Sequence, residues 1–122
     1  MVFKIAGWVL RFEQVRTWLG KQGRKHDHLE NDDLMIDLNR WFEERGIDYL
    51  WAVCTDYPRG VQSVIVLARR QREDHKSTVS HCYRVRETDT DRDVKKQVLE
   101  ESGLADEDLP WVTIADPFFQ QH

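Results

Sequence analysis

The 122-residue chain sets 18 lysines and arginines against 22 aspartates and glutamates, a formal charge of −4, with 40% hydrophobic, 11% aromatic and 33% charged residues. That mixture is unlike a disordered tail, and the length fits one domain over residues 1–122. The longest apolar run, Val64-Ile65-Val66-Leu67-Ala68, falls far short of the roughly 20 residues that cross a bilayer, so no membrane partner is expected. Met1 to Trp8 lacks a basic region followed by a long apolar one, and Cys54 and Cys82 are too few for a disulfide framework. The expectation is a cytoplasmic protein with reduced thiols.

Phe3 to Val9 alternates as a strand, with Gly7 marking a bulge or a close approach. Phe12, Val15, Trp18 and Leu19 then share one helical face, and Gly20 or Gly23 can end that helix. The polar stretch from Gly23 to Glu30 reads as a loop. Asn31 or Asp32 is placed to cap a second helix that carries Leu34, Leu38, Trp41 and Phe42 on one face and stops at Arg45-Gly46. Ile47 to Thr55 is apolar on both faces, which predicts a central strand. The turn Asp56-Tyr57-Pro58-Arg59-Gly60 joins it as a hairpin to Val61–Arg69.

Arg70 to Lys76 reads as a charged loop, and Ser77 to Arg86 alternates as a third meander strand. Thr88 to Thr90 caps a last helix with a thin stripe of Val94, Val98 and Leu99, ended by Gly103; Trp111-Val112-Thr113-Ile114 closes the chain as a short strand. The order β-α-α-β-β-β-α-β predicts an α+β domain with a mainly antiparallel sheet of about five strands and helices on one face. With 77–86 as an addition, the order approaches the ferredoxin-like split βαββαβ arrangement.

Three constellations carry possible chemistry. His26 and His28, among Asp27, Glu30, Asp32 and Asp33, are ligand types for a divalent metal and the basis of a metal-assisted hydrolase reading, as is His81 with Asp56. The spacing matches no mechanistic metal motif, and a solvated loop leading into an acidic helix start accounts for it more simply, so no cofactor is expected. Cys54 or Cys82 with His81 has the composition of a thiol nucleophile. However, His81 and Cys82 are consecutive and would face opposite sides of a strand. Asp56 reads more simply as a turn residue.

Arg69, Arg70, Arg72, Arg84 and Arg86 could follow a phosphate backbone, but Glu73, Asp74 and the net charge oppose this, and Val64 to Leu67 offers no aromatic for base stacking. Nucleic acid is therefore not the expected partner. Nucleotide-binding glycine loops, GxSxG and CxxC are all missing from the sequence. Five tryptophans are many for one small core, and Pro117-Phe118-Phe119 is an apolar terminus that would fray unless docked. Trp8, Trp111, Phe118 and Phe119 are accordingly the candidates for a contact surface with a protein partner or a second copy, and a non-catalytic binding module is the functional expectation.

Overall fold

Gly7 decides how the first strand meets its neighbour. In the computed structural model, which describes residues 2–23, 30–57, 63–74 and 85–115, strand β1 (Val2–Leu10) lies antiparallel to β3 (Ser63–Asp74). Gly7 faces Ala68 and Ala6 faces Arg70, so Arg69 is the extra residue of a β-bulge. A side chain at position 7 would place its Cβ 1.9 Å from the Leu67 carbonyl oxygen; only hydrogen fits there.

Strands β2 (Trp51–Asp56) and β4 (Trp111–Ala115) complete a four-stranded sheet of order β2-β3-β1-β4, with every neighbouring pair antiparallel. Helices α1 (Phe12–Lys21) and α2 (Asn31–Glu44) lie in the crossover from β1 to β2, and α3 (Asp89–Ser102) in that from β3 to β4. Each crossover skips one strand, which is the split βαβ order of the ferredoxin-like arrangement. The protein is thus an α+β fold, with four strands among the described residues. Residues 77–84 of the expected extra strand lie outside the described residues, and 85–86 are not in a strand.

The helix ends follow local chemistry. At the start of α1, the Arg11 backbone N–H donates to the buried Gln14 side chain at 2.8 Å. The second helix begins at Asn31 itself, with Glu30 in the extended capping position, one residue before the expected cap. It ends in a turn in which the Ile47 N–H donates to the Phe42 carbonyl at 2.8 Å and Gly46 takes a left-handed φ of 69°. Thr88 caps α3, its hydroxyl accepting from the Asp91 N–H while its own N–H donates to the Asp91 carboxylate.

Three expectations about strands are corrected. Ile47–Leu50 lies outside β2, because the Gly46 turn carries the chain away from the sheet first. Arg70–Asp74 is strand rather than loop, because Val2–Ala6 supplies it with a pairing partner. And among the described residues β2 stands at an edge of the sheet, not at its centre.

The sheet is apolar on both sides. Trp8, Leu10, Ala52, Ile65 and Leu67 pack under Val15, Trp18 and Leu19 of α1, Leu34, Leu38, Trp41 and Phe42 of α2, and Val98 of α3. Trp18, Trp41 and Phe42 meet edge-on or tilted at 5.5 to 5.8 Å between ring centres. The second face gathers Ile5, Val9, Val53, Val64, Val66, Ala68 and Val112, a cluster to which none of the three helices contributes.

The bulge makes a direct prediction. Gly7→Ala must push β1 away from Leu67, and the variant is expected to lose about 3 kcal/mol, the upper part of the overpacking range. The loss should appear as a lower urea midpoint with an unchanged slope. A midpoint equal to that of the parent protein would show that β1 does not pass Leu67 in this way.

Candidate functional site

The residues singled out by sequence scatter in the fold. His26, His28, His81, Cys82, Arg84, Phe118 and Phe119 lie outside the described residues. Among the described residues no group of three or more His, Cys, Asp or Glu is placed to hold a metal ion. Asp56 sits exposed at the end of β2, where its carboxylate accepts from the Ser63 hydroxyl at 3.2 Å and helps to close the hairpin. Cys54 lies half-buried on the helix-facing side of β2 and forms no disulfide among the described residues.

Trp8 is not at a surface: it is fully buried, because β1 is a central strand and its even positions face the helices. Its indole N–H donates to the Glu87 carboxylate at 2.6 Å. Trp111, directly opposite on β4, is half-buried, stands edge-on to Trp8 at 5.4 Å, and donates to the Val85 carbonyl at 2.7 Å. The Val85 N–H in turn donates to the Thr113 hydroxyl at 3.0 Å. The two tryptophans thus moor the 85–87 segment to the sheet.

The arginines part company as well. Arg86 is exposed, and Arg70 and Arg72 occupy β3 positions opposite Ala6 and Lys4. Arg69, the bulged residue, is turned inward. Its Nε donates to Asp91 at 2.9 Å, with Asp91 fully buried and the Arg69 side chain only 10% exposed. A second guanidinium nitrogen donates to the Tyr49 carbonyl at 2.8 Å, and the group lies 5.7 Å from the Tyr49 ring centre. Its charge is spent inside the protein, so Arg69 is no contact for a phosphate backbone.

This ion pair fixes the wall of an open cleft. Tyr49 belongs to the 47–50 segment, which Arg69 holds from one side and Gln97 of α3 from the other, through the Tyr49 hydroxyl at 3.2 Å. Between this segment, the end of α2 and the start of β2 lies a cleft of about 410 Å³, lined by Asn39, Phe42, Glu43, Gly46, Ile47, Asp48, Leu50 and Trp51. Phe42 and Leu50 form a buried apolar base, Trp51 and Ile47 are half-buried, and Glu43 and Asp48 are exposed.

One wall of the cleft also seals the sheet edge. The Asn39 side chain accepts from the Ala52 N–H at 2.7 Å and donates to the Ala52 carbonyl at 3.0 Å, replacing the strand that an edge would otherwise recruit. The Cys54 N–H donates to the Met35 sulfur at 3.2 Å. Neither Asn39 nor Trp51 stood out in the sequence as a site. The available signal was a polar residue one position after Leu38 on the packed side of α2, followed by a tryptophan at a strand start.

Three variants test this framework. Removing the Asp91 carboxylate in Asp91→Ala strands a buried guanidinium, with an expected loss of about 3 to 5 kcal/mol, and Arg69→Met with Asp91→Leu should recover much of it. Urea unfolding of the single and double variants checks this; equal losses in both would show that the pair itself is not the source. Asn39→Ala leaves the Ala52 groups unpaired, and is expected to cost about 2 kcal/mol and to produce concentration-dependent oligomers on size-exclusion chromatography. A variant that stays monomeric and fully stable would contradict the edge-sealing role. Comparison of the chain with protein-family models, with curated proteins and with solved structures finds no match to any of them.

Proposed function

We propose that the chain is a non-catalytic protein-binding module, and that it binds through the cleft between α2, the 46–48 turn and the β2 edge. The observation that carries this reading is the combination of a buried apolar base of Phe42 and Leu50 with half-buried Ile47, the exposed carboxylates of Glu43 and Asp48, and Trp51 at the β2 end of the lining, where its side chain also packs against the second face of the sheet. Interface hot spots are enriched in tryptophan and cluster around desolvated apolar pockets. Ile36, 49% exposed, extends the surface: it stands three and seven residues before Asn39 and Glu43, on the same face of α2.

The rim selects the partner. A two-fold pairing of copies through this cleft would set Glu43 and Asp48 against their own equivalents, and like charges across an interface are costly. A distinct partner that presents an apolar side chain flanked by lysine or arginine satisfies both the base and the rim. The sealed β2 edge turns such a segment toward side-chain recognition rather than strand addition, because Asn39 already occupies the Ala52 backbone groups.

Three short synthetic peptides test the proposal by NMR titration of the labelled protein: alternating leucine and lysine, alternating leucine and glutamate, and alternating serine and lysine. The expected result is saturable shifts at Ile36, Asn39, Glu43 and the Trp51 indole with the leucine-lysine peptide alone. Trp51→Ala should weaken that binding about tenfold, as truncation of an interface anchor does. Shifts distributed over other acidic surfaces, or equal binding of the serine-lysine peptide, would overturn the proposal.

A further inference from the structure

Among the described residues β4 is the other edge of the sheet, and it is built unlike the β2 edge. The Val9 N–H donates to the Pro110 carbonyl at 3.0 Å, and such bonded pairs alternate along an antiparallel ladder. Gly7 with Val112 and Ile5 with Ile114 are therefore the bonded pairs of β1 and β4, and Trp111, Thr113 and Ala115 turn their backbone groups away from β1. Among the described residues no hydrogen bond reaches the Thr113 backbone N–H or carbonyl; its contacts with Val85 run through the side-chain hydroxyl. Trp111–Ala115 also carries no charge and no proline, the usual guards of an exposed edge.

The edge is complementary to itself. A two-fold axis through Thr113 sets two copies of β4 antiparallel, with Thr113 opposite its own equivalent and Trp111 opposite Ala115 of the second copy. Residues that turn their backbone outward then meet residues that do the same, as an antiparallel ladder requires. Val112 falls opposite Ile114, so the apolar cluster of the second face continues across the axis. No like charges meet, whereas a two-fold pairing through the cleft would oppose Glu43 and Asp48 to themselves. We infer that β4 is a dimerisation edge and that its partner is a second copy of this chain, the two sheets joining into one. Both outer edges of the joined sheet are β2, where Asn39 already holds the Ala52 backbone groups, so assembly stops at two copies. The dimer carries its two clefts at opposite ends, which makes cleft binding and β4 pairing independent of each other.

Sedimentation equilibrium of the full chain tests the pairing, over the range of about 1 µM to about 1 mM in which small interfaces associate. The expected result is a mass that rises from 14.6 kDa to twice that value and no further. Thr113→Lys and Thr113→Glu each set like charges on the axis and should weaken the dimer about tenfold, and an equal mixture of the two should restore it, because only a position that faces itself is rescued in this way. A chain that stays monomeric at the highest concentration, a dimer that both variants retain, or a mixture that associates no better than its components would overturn the proposal. If either variant does not fold, hydrogen exchange of the parent protein decides. The Thr113 amide should exchange about tenfold more slowly in the dimer, and a rate independent of concentration would contradict the pairing.

Discussion

The buried pair between Arg69 and Asp91 is the constraint on which the rest of the architecture depends. Two charges withdrawn from water are tolerated only when hydrogen bonds replace those to water, and here both Asp91 oxygens and two of the three Arg69 nitrogens are engaged. One Asp91 oxygen takes the guanidinium; the other takes the Thr88 N–H and hydroxyl. Arg69 turns its second donor to the Tyr49 carbonyl. The pair exists because Arg69 is the surplus residue of a bulge, and the bulge faces Gly7, where β1 runs too close to Leu67 for any side chain. A single glycine in one strand thereby aims an arginine in the next at the start of a helix.

That placement explains how α3 stays on the sheet with so little apolar surface. Its only fully packed aliphatic side chain is Val98, with Val94 and Leu99 partly buried. Polar contacts supply the remainder: Arg69 at its first turn, the Tyr49 hydroxyl on Gln97, and Lys21 and Gln22 of the α1 end donating to the carbonyls of Glu100 and Glu101. The same contacts hold the 47–50 segment, which lines the open cleft. The position of the cleft wall and the docking of a weakly apolar helix therefore have one physical origin. On the far side of the cleft, α2 both covers the apolar core and, through Asn39, occupies the backbone groups of the β2 edge, so the cleft is walled by side chains.

Much of this was legible in the sequence wherever a local rule decides the outcome. The Leu34, Leu38, Trp41, Phe42 stripe, the Thr88 start and Gly103 end of α3, and the bulge at Gly7 all follow from spacing or from a single residue's stereochemistry. The errors arose where a distant residue decides. Apolar residues on both faces of 51–55 suggested a central strand, because pattern alone does not report that a helix side chain has replaced the missing neighbour. Arg70 to Asp74 looked like a loop because its partner strand lies more than sixty residues earlier. Arg69 looked like a surface charge, since its carboxylate is 22 positions away and arrives only when α3 docks. The number of tryptophans alone points Trp8 to a surface; β1, lying second from one edge, buries it. The cleft was invisible for the same reason, being assembled from two helix positions, a turn and a strand start.

The most direct test of the central claim is native-state hydrogen exchange of the parent protein in low concentrations of denaturant, followed amide by amide. If Arg69 and Asp91 unite the bulge, the start of α3 and the 47–50 segment, then the amides of Arg92 to Lys95, of Leu50 and of Arg69 itself open together as one cooperative unit with a single denaturant dependence. If α3 instead exchanges through its own opening, well below that of β3 and with a shallower dependence, the helix is held by its apolar stripe alone and the account is wrong.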